Sequence, residues 1–167
     1  MKVNFRISRS LLETIRRDLR RPHAFAFERV GFISAGLSGA GNDVLVLAQE
    51  YRAVRDEDYL PDQSVGAMIG PEAIRVALQW ALGTGLGVFH VHKHEGRGVP
   101  RFSGVDLREN QRFVPDFFKV APQSIHGAIL LSDTAACGQV WINQNLTPQL
   151  FNCFTESGIP IQKWSAK

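Results

Sequence analysis

The sequence predicts a mixed α+β fold in which a mostly antiparallel sheet is flanked by helices. Two observations indicate this class: helical and strand-like segments alternate along the chain, and several of the strand-like segments are joined by turns typical of hairpins. A third concerns size, because 44% of the 167 residues are hydrophobic, which suits one well-buried core. We therefore expect a single domain over residues 1–167.

The first predicted elements are a short edge strand over residues 5–7 and a helix over about 11–20. Apolar residues recur on one stripe of this helix, as they do in helices that pack on a core. Ser10 and Glu13 have the spacing of a capping box, and Pro22 ends the helix.

A hairpin and a second helix are predicted next. The aromatic, alternating stretch 24–36 indicates a strand, and residues 44–54 indicate its antiparallel partner. Residues 55–70 are polar and predicted to be mostly loop. Residues 71–85 indicate a helix that starts at Pro71. Its apolar residues surround most of the helix, so we expect it to be deeply buried.

The second half of the chain is predicted to hold one buried strand over 86–92 and a helix over about 104–112. Residues 124–133 and 137–143 then indicate two further strands that form a hairpin. The tail from 147 to 164 has no clear periodicity, so its structure stays open.

Composition bears on location and partners. The net charge is only +3, and a group of arginines near the N-terminus is better explained by a solvated helix face than by a nucleic-acid site. No apolar run approaches the roughly 20 residues of a membrane span, and the first ten residues lack a signal-peptide core. Cys137 and Cys153 form no CxxC pattern. We expect a cytoplasmic protein without a nucleic-acid or membrane partner.

Three of the five histidines lie in residues 90–94. On a strand, His90 and His92 point to one face and stand about 6.6 Å apart, while Phe89 and Val91 face the other way. A single buried histidine is commonly a hydrogen-bonded core residue. Two on one face each need a polar partner, so the pattern indicates either such partners or a shared metal ion.

His94 has the same parity, but Gly96 and Gly98 predict that the strand has ended by then. His94 therefore competes as a possible ligand without being part of the first-choice set. Residues Ser103 and Asp106 have capping-box spacing, with Ser103 capping the helix that begins near Gly104. The same Asp106 could also return a carboxylate to the histidines.

Together these residues resemble the JAMM motif of the JAB/MPN metalloproteases. The resemblance consists of His90-x-His92, ten intervening residues, and Ser103-x-x-Asp106, with Glu28 upstream as the motif glutamate. It covers roughly residues 5–145 and implies an MPN/JAB-like, cytidine-deaminase-like three-layer fold. The chain departs from many members in having Phe102 directly before the motif serine, where they have proline.

The resemblance implies a zinc enzyme. His90, His92 and Asp106 would bind Zn²⁺, Glu28 would act as general base, and Ser103 would stabilise the oxyanion. The reaction implied is hydrolysis of a peptide or isopeptide bond after the C-terminal tail of a ubiquitin-like modifier. The chain is similar to the compact prokaryotic members, whose partners include activating-enzyme and conjugating-enzyme-like proteins.

Two other functions remain open on the residues alone. One is a non-catalytic MPN scaffold that binds partner proteins, although such members typically lack motif residues that are present here. The other is a zinc hydrolase of the same fold that acts on small peptides.

Overall fold

A computed structural model describes residues 1–24, 26–40, 42–62, 64–145 and 147–165. The helices are α1 (Arg9–Leu19), α2 (Pro71–Thr84) and α3 (Gly104–Phe113), with short 3₁₀ segments at Asp56–Asp58 and Val114–Lys119. The strands are β1 (Lys2–Ser8), β2 (Val30–Ala40), β3 (Asp43–Ala53), β4 (Tyr59–Leu60), β5 (Met68–Ile69), β6 (Gly87–Lys93), β7 (His126–Leu131), β8 (Ala136–Trp141), β9 (Gln149–Leu150), β10 (Cys153–Ser157) and β11 (Gln162–Ser165).

One large sheet organises these elements, in the order β11-β10-β1-β3-β2-β6-β7-β8-β9. Most neighbouring strands are antiparallel, while β1 pairs in parallel with β3 and β10, and β6 pairs in parallel with β7. Strands β4 and β5 form a separate small ribbon. The predicted α+β class with a mostly antiparallel sheet is therefore confirmed.

Strand β6 divides the core into two parts. Phe89 and Val91 are fully buried among residues of α1 and the neighbouring strands. Val88, on the opposite face, packs with the buried side of α2. Because side chains alternate along a strand, His90 and His92 lie on the α2 side of the sheet.

Helix starts follow local hydrogen bonding. The Ser8 hydroxyl accepts a hydrogen bond from the Leu11 backbone N–H at 3.3 Å and so caps α1. The predicted Ser10–Glu13 capping box is therefore wrong, and the helix begins slightly earlier. Pro71 starts α2 as predicted. The prediction that α2 is deeply buried is wrong, because Leu82 is 63% exposed.

Two strand predictions near the N-terminus need correction. Residues 5–7 belong to an interior strand, since β1 is paired on both sides by β3 and β10. The strand expected over 24–36 starts only at Val30, with residue 25 outside the described residues. Glu28 thus lies in an irregular segment just before β2.

The C-terminal half agrees better with expectation. The hairpin predicted over 124–133 and 137–143 is present as β7 and β8. The tail that the sequence left open forms β9, β10 and β11, with β10 joining the large sheet beside β1. None of the helices in the described part of the chain combines the length and the hydropathy that a membrane span requires.

His126 is a buried histidine of this core, and both of its ring nitrogens are hydrogen-bonded. Its Nδ1 accepts a hydrogen bond from Val88 N–H at 3.1 Å. Its Nε2 lies 3.0 Å from the Ala121 carbonyl oxygen, to which it therefore donates. Burial lowers the pKa of His126 to about 4, because the neutral ring already has both hydrogen bonds and the charged ring loses hydration.

We predict that acid destabilises the wild-type protein more than it destabilises His126→Gln. In the unfolded chain, His126 takes up a proton near the ordinary histidine pKa of ~6.5. The contribution of the neutral ring to the free energy of unfolding is therefore fully present above that pH. It is lost as the pH falls towards about 4. The expected extra loss of unfolding free energy is about 3 kcal/mol, measured by urea unfolding across this range. Parallel stability curves for the two proteins would contradict the assignment.

Candidate metal centre

A cluster of ionisable side chains lies where β6 ends and α3 begins. Glu28, His92 and His94 each offer a ligand atom, and these atoms all lie within 4.8 Å of one another. Asp106 adjoins them, with Oδ1 3.2 Å from His92 Nε2 and Oδ2 3.4 Å from His94 Nε2. These four side chains are called the His92 cluster below.

Strand β6 places the first two histidines side by side. The imidazole centroids of His90 and His92 are 5.4 Å apart, in keeping with two side chains on one face of a strand. His92 is 3% exposed and His90 is 9% exposed. Both rings therefore stand in a largely dry environment, where an unpaired polar atom is costly.

His94 reaches the cluster because the pairing of β6 with β7 continues past the end of the strand. Its backbone N–H donates to the Leu131 carbonyl at 3.0 Å. Strand β6 itself ends at Lys93, before His94, as predicted, and Gly96 and Gly98 follow with positive φ angles of 108° and 84°. The His94 ring centroid lies 5.0 Å from that of His92.

Asp106 is held by the first turn of α3. Its Oδ2 accepts a hydrogen bond from the Ser103 backbone N–H at 2.6 Å, and the Ser103 hydroxyl accepts one from the Asp106 backbone N–H at 3.1 Å. These reciprocal bonds are the predicted capping box. They fix the carboxylate while leaving its other oxygen to face His92.

The ionisation of Asp106 follows from this setting. Burial alone would raise its pKa, but the close His92 ring and the hydrogen bond from the Ser103 backbone N–H outweigh it and lower the pKa of Asp106 well below its usual range. A carboxylate that stays charged in a partly buried position is well suited to bind a metal cation.

Glu28 is brought in by the segment before β2. The backbone N–H groups of Phe27 and Glu28 both donate to the Gly66 carbonyl, each at 2.9 Å. The Glu28 carboxylate lies directly against Gly66, so a Cβ at that position would overlap it. Glu28 Oε1 stands 3.8 Å from His94 Nε2.

His90 stands slightly apart from the His92 cluster. It is not part of the group of described residues whose ligand atoms lie within 4.8 Å of one another. Its ring instead packs edge-on against Phe113, with centroids 5.2 Å apart. Burial, followed by the neighbouring His92, lowers the pKa of His90 to about 3, so the ring is neutral and able to coordinate a metal.

Unpaired ring nitrogens are the strongest sign of a missing partner. His90 Nδ1 and both nitrogens of His92 are buried without a hydrogen bond. The 3.2 Å approach of His92 Nε2 to Asp106 Oδ1 does not have hydrogen-bonding geometry. A buried polar atom of this kind is expected to have an explanation, such as a water or an ion. Imidazole and carboxylate donors together suit a divalent transition metal.

The structure therefore brings together part of the predicted set. Glu28, His92, Ser103 and Asp106 meet at one place, whereas His90 lies beside them. His94 was kept only as a competing ligand because the glycines after it suggested that the strand had ended. The two-residue spacing of His94 from His92, which places both side chains on one face of an extended chain, was the sequence feature that indicated its place in the His92 cluster.

No protein-family model matches this chain, and no curated protein matches it. Among solved structures, it is similar to the N-terminal domain of STIL from Trichoplax adhaerens, with 11% sequence identity and a TM-score of 0.38. The match covers 80% of this chain and 40% of that one, so this chain spans less than half the length of the STIL structure. A similarity of this size supports no assignment of fold or function.

We predict that the wild-type protein binds about one Zn²⁺ per chain and that His92→Ala and Asp106→Asn each weaken this binding. Loss of a residue that is only hydrogen-bonded to a metal ligand commonly lowers metal affinity 10- to 100-fold. Loss of a ligand itself should therefore lower Zn²⁺ affinity at least ~100-fold. Asparagine retains an oxygen for the cap, which protects α3. Isothermal titration with Zn²⁺ measures the effect.

The matched control is His23→Ala, which changes a histidine outside the His92 cluster. This variant should bind Zn²⁺ as the wild type does. Equal affinities for the wild type and His92→Ala would contradict a metal centre at this position.

Proposed function

We propose that this protein is a zinc-dependent isopeptidase or peptidase that cleaves after the C-terminal tail of a ubiquitin-like modifier. The observation that carries the proposal is the convergence of Glu28 with His92 and Asp106, three residues distant in sequence that all belong to the JAMM-like pattern. The MPN-type fold belongs to the same proposal and rests on that pattern.

Three side chains are common to the motif resemblance and to the His92 cluster: His92 and Asp106 as proposed metal ligands, and Glu28. His90 completes the set by resemblance, and its buried, unpaired Nδ1 fits that role. His94 is the alternative third donor, because its Nε2 already faces Asp106. Zinc, when bound, supplies Lewis acidity and lowers the pKa of water towards ~7.

Glu28 is assigned as the general base. It is partly exposed, with 28% of its side chain accessible, so water can reach it. Its carboxylate would take a proton from the attacking water and give it to the leaving amine as the C–N bond breaks. The two backbone hydrogen bonds to Gly66 hold this residue at the edge of the His92 cluster.

Ser103 is assigned to the developing oxyanion. Its hydroxyl oxygen accepts from Asp106 N–H, which leaves the hydroxyl proton to donate elsewhere. The residue is exposed and lies next to the carboxylate that faces His92. Removing one such donor in other enzymes costs about 10²- to 10³-fold in rate.

A polypeptide substrate is supported by the surroundings of Glu28. Gly66, to which Glu28 is bound, lies in the connection between β4 and β5. This two-stranded ribbon exposes Leu60 and Met68. Extended peptides commonly add to a free strand edge of this kind, and a ubiquitin-like tail is an extended peptide.

Glu28→Gln is predicted to abolish cleavage while Zn²⁺ binding and thermal stability stay unchanged. Glutamine keeps the size of the side chain but does not accept a proton, so turnover should fall at least ~100-fold. The assay is release of a fluorescent protein from a linear fusion to a ubiquitin-like modifier. Glu13→Gln, on the exposed side of α1, is the control.

Cleavage by Glu28→Gln at the wild-type rate would overturn the assignment of the base. Turnover of short peptides with no cleavage of any modifier fusion would instead support a small-peptide hydrolase. A wild-type protein that binds a modifier but neither holds Zn²⁺ nor cleaves would support the scaffold function.

Gly66→Ala tests the position of Glu28 without changing any ionisable group. The added Cβ would overlap the Glu28 carboxylate, and because that carboxylate ends a flexible side chain, it should move away at little cost to the fold. We predict a fall in turnover of about 10- to 100-fold, since a small misplacement of a reacting group is costly. Zn²⁺ affinity should not change.

Gly83→Ala is the matched control, since a Cβ there meets no atom within 4 Å. It should turn over substrate at the wild-type rate. Full activity in Gly66→Ala would show that Glu28 need not occupy the observed position.

A further inference from the structure

An apolar pocket of about 570 Å³ opens at the seam where β8 and β9 come close to β10 and β11. This volume lies within the range of small-ligand and side-chain binding sites. The walls are mainly aliphatic and aromatic, with contributions from Phe102, Leu107, Leu150, Phe151, Phe154 and Trp164. This cavity is called the seam pocket below.

The wall nearest the His92 cluster is the loop that leaves β6. It is tied to the β7–β8 hairpin, because Gly98 N–H donates to the Thr134 hydroxyl and the Ser132 hydroxyl donates to the Gly98 carbonyl. Further along, the Cys137 thiol donates to the Pro100 carbonyl at 3.2 Å. The wall is therefore held in place without any ligand.

Phe102 joins the seam pocket to the metal centre. Its ring lines the pocket, its centroid lies 6.2 Å from that of His92, and it directly precedes Ser103. Leu107 lines the same pocket and directly follows Asp106. An extended chain advances about 3.3 Å per residue, so the pocket is within about three residues of a bond placed at His92.

The polar groups of the pocket narrow the choice of occupant. Gln139 is the amide side chain of the lining. Arg101 is the charged residue of the lining, which contains no Asp or Glu among the described residues. A neutral apolar group is therefore favoured, and a Lys or Arg side chain is disfavoured.

We propose that the seam pocket is a specificity pocket of the proposed peptidase, which receives a bulky apolar side chain of the polypeptide substrate close to the scissile bond. This inference rests on the proposed function, because the substrate is taken to be a polypeptide bound at the His92 cluster.

The first test changes the pocket and measures turnover of a substrate with a bulky apolar residue. Leu150 lines the pocket and is 51% exposed, so Leu150→Arg should fold normally while placing a second cation at the pocket. With fusions that carry Phe near the scissile bond, KM should rise at least ~10-fold, whereas kcat and Zn²⁺ affinity should not change. Leu82→Arg, on the exposed face of α2, should match the wild type.

A second test needs no turnover and uses the two cysteines. Cys137 lines the seam pocket, whereas Cys153 does not, and both are free and partly buried. The probes are seven-residue peptides of Gly and Ser in which one residue is replaced by Phe or by Lys. Each peptide of a series has the replacement at a different position. They are added to Zn²⁺-loaded Glu28→Gln, and alkylation of each cysteine by N-ethylmaleimide is followed by mass spectrometry.

The Phe peptides should slow alkylation of Cys137 at least ~3-fold and leave alkylation of Cys153 unchanged. The Lys peptides should protect Cys137 less than the Phe peptides do. Equal protection by Phe and Lys peptides, or none, would overturn the specificity pocket even if modifier fusions are cleaved. Equal protection by free indole would overturn it in favour of a small-molecule site. Protection by Phe peptides with no cleavage of any fusion would support the pocket while contradicting the proposed function.

Discussion

The burial of strand β6 on both faces is the constraint on which the rest of the structure depends. One face supplies Phe89 and Val91 to the core beneath α1, so the strand can neither shift register nor turn over without exposing them. The opposite face must then bury His90 and His92. Since three of their four ring nitrogens are buried without a hydrogen bond, packing creates a requirement that a metal ion would meet.

The start of α3 meets two demands with one pair of residues. Ser103 and Asp106 satisfy each other's backbone N–H groups, as any capping box does. The same bonds orient the second oxygen of Asp106 towards His92. Structural and chemical explanations of this pair therefore do not compete, because the geometry that starts the helix also supplies a fixed carboxylate. The loop from β6 to α3, which brings Asp106 back to His92, also forms one wall of the seam pocket through Phe102.

Features set by local pattern could be predicted from the sequence, and features set by distant contacts could not. Strand alternation placed His90 and His92 on one face, and Ser-x-x-Asp placed the start of α3. The interior position of β1 was missed because its partner β10 lies at the far end of the chain. His94 was considered only as a competing ligand, because its position depends on the distant Leu131 carbonyl, which accepts its backbone N–H. The packing of Glu28 against Gly66 also joins distant segments, so no local sequence pattern predicts it.

A crystal structure of the Zn²⁺-loaded protein, with anomalous diffraction recorded at the zinc edge, tests the metal centre directly. One zinc peak per chain is expected, within about 2.2 Å of a His92 ring nitrogen and of an Asp106 carboxylate oxygen. A second imidazole, from His90 or His94, should be a ligand, and the Glu28 carboxylate should stay beside these residues. Zinc bound elsewhere on the chain, or no peak at His92, would show that these residues do not form a metal centre.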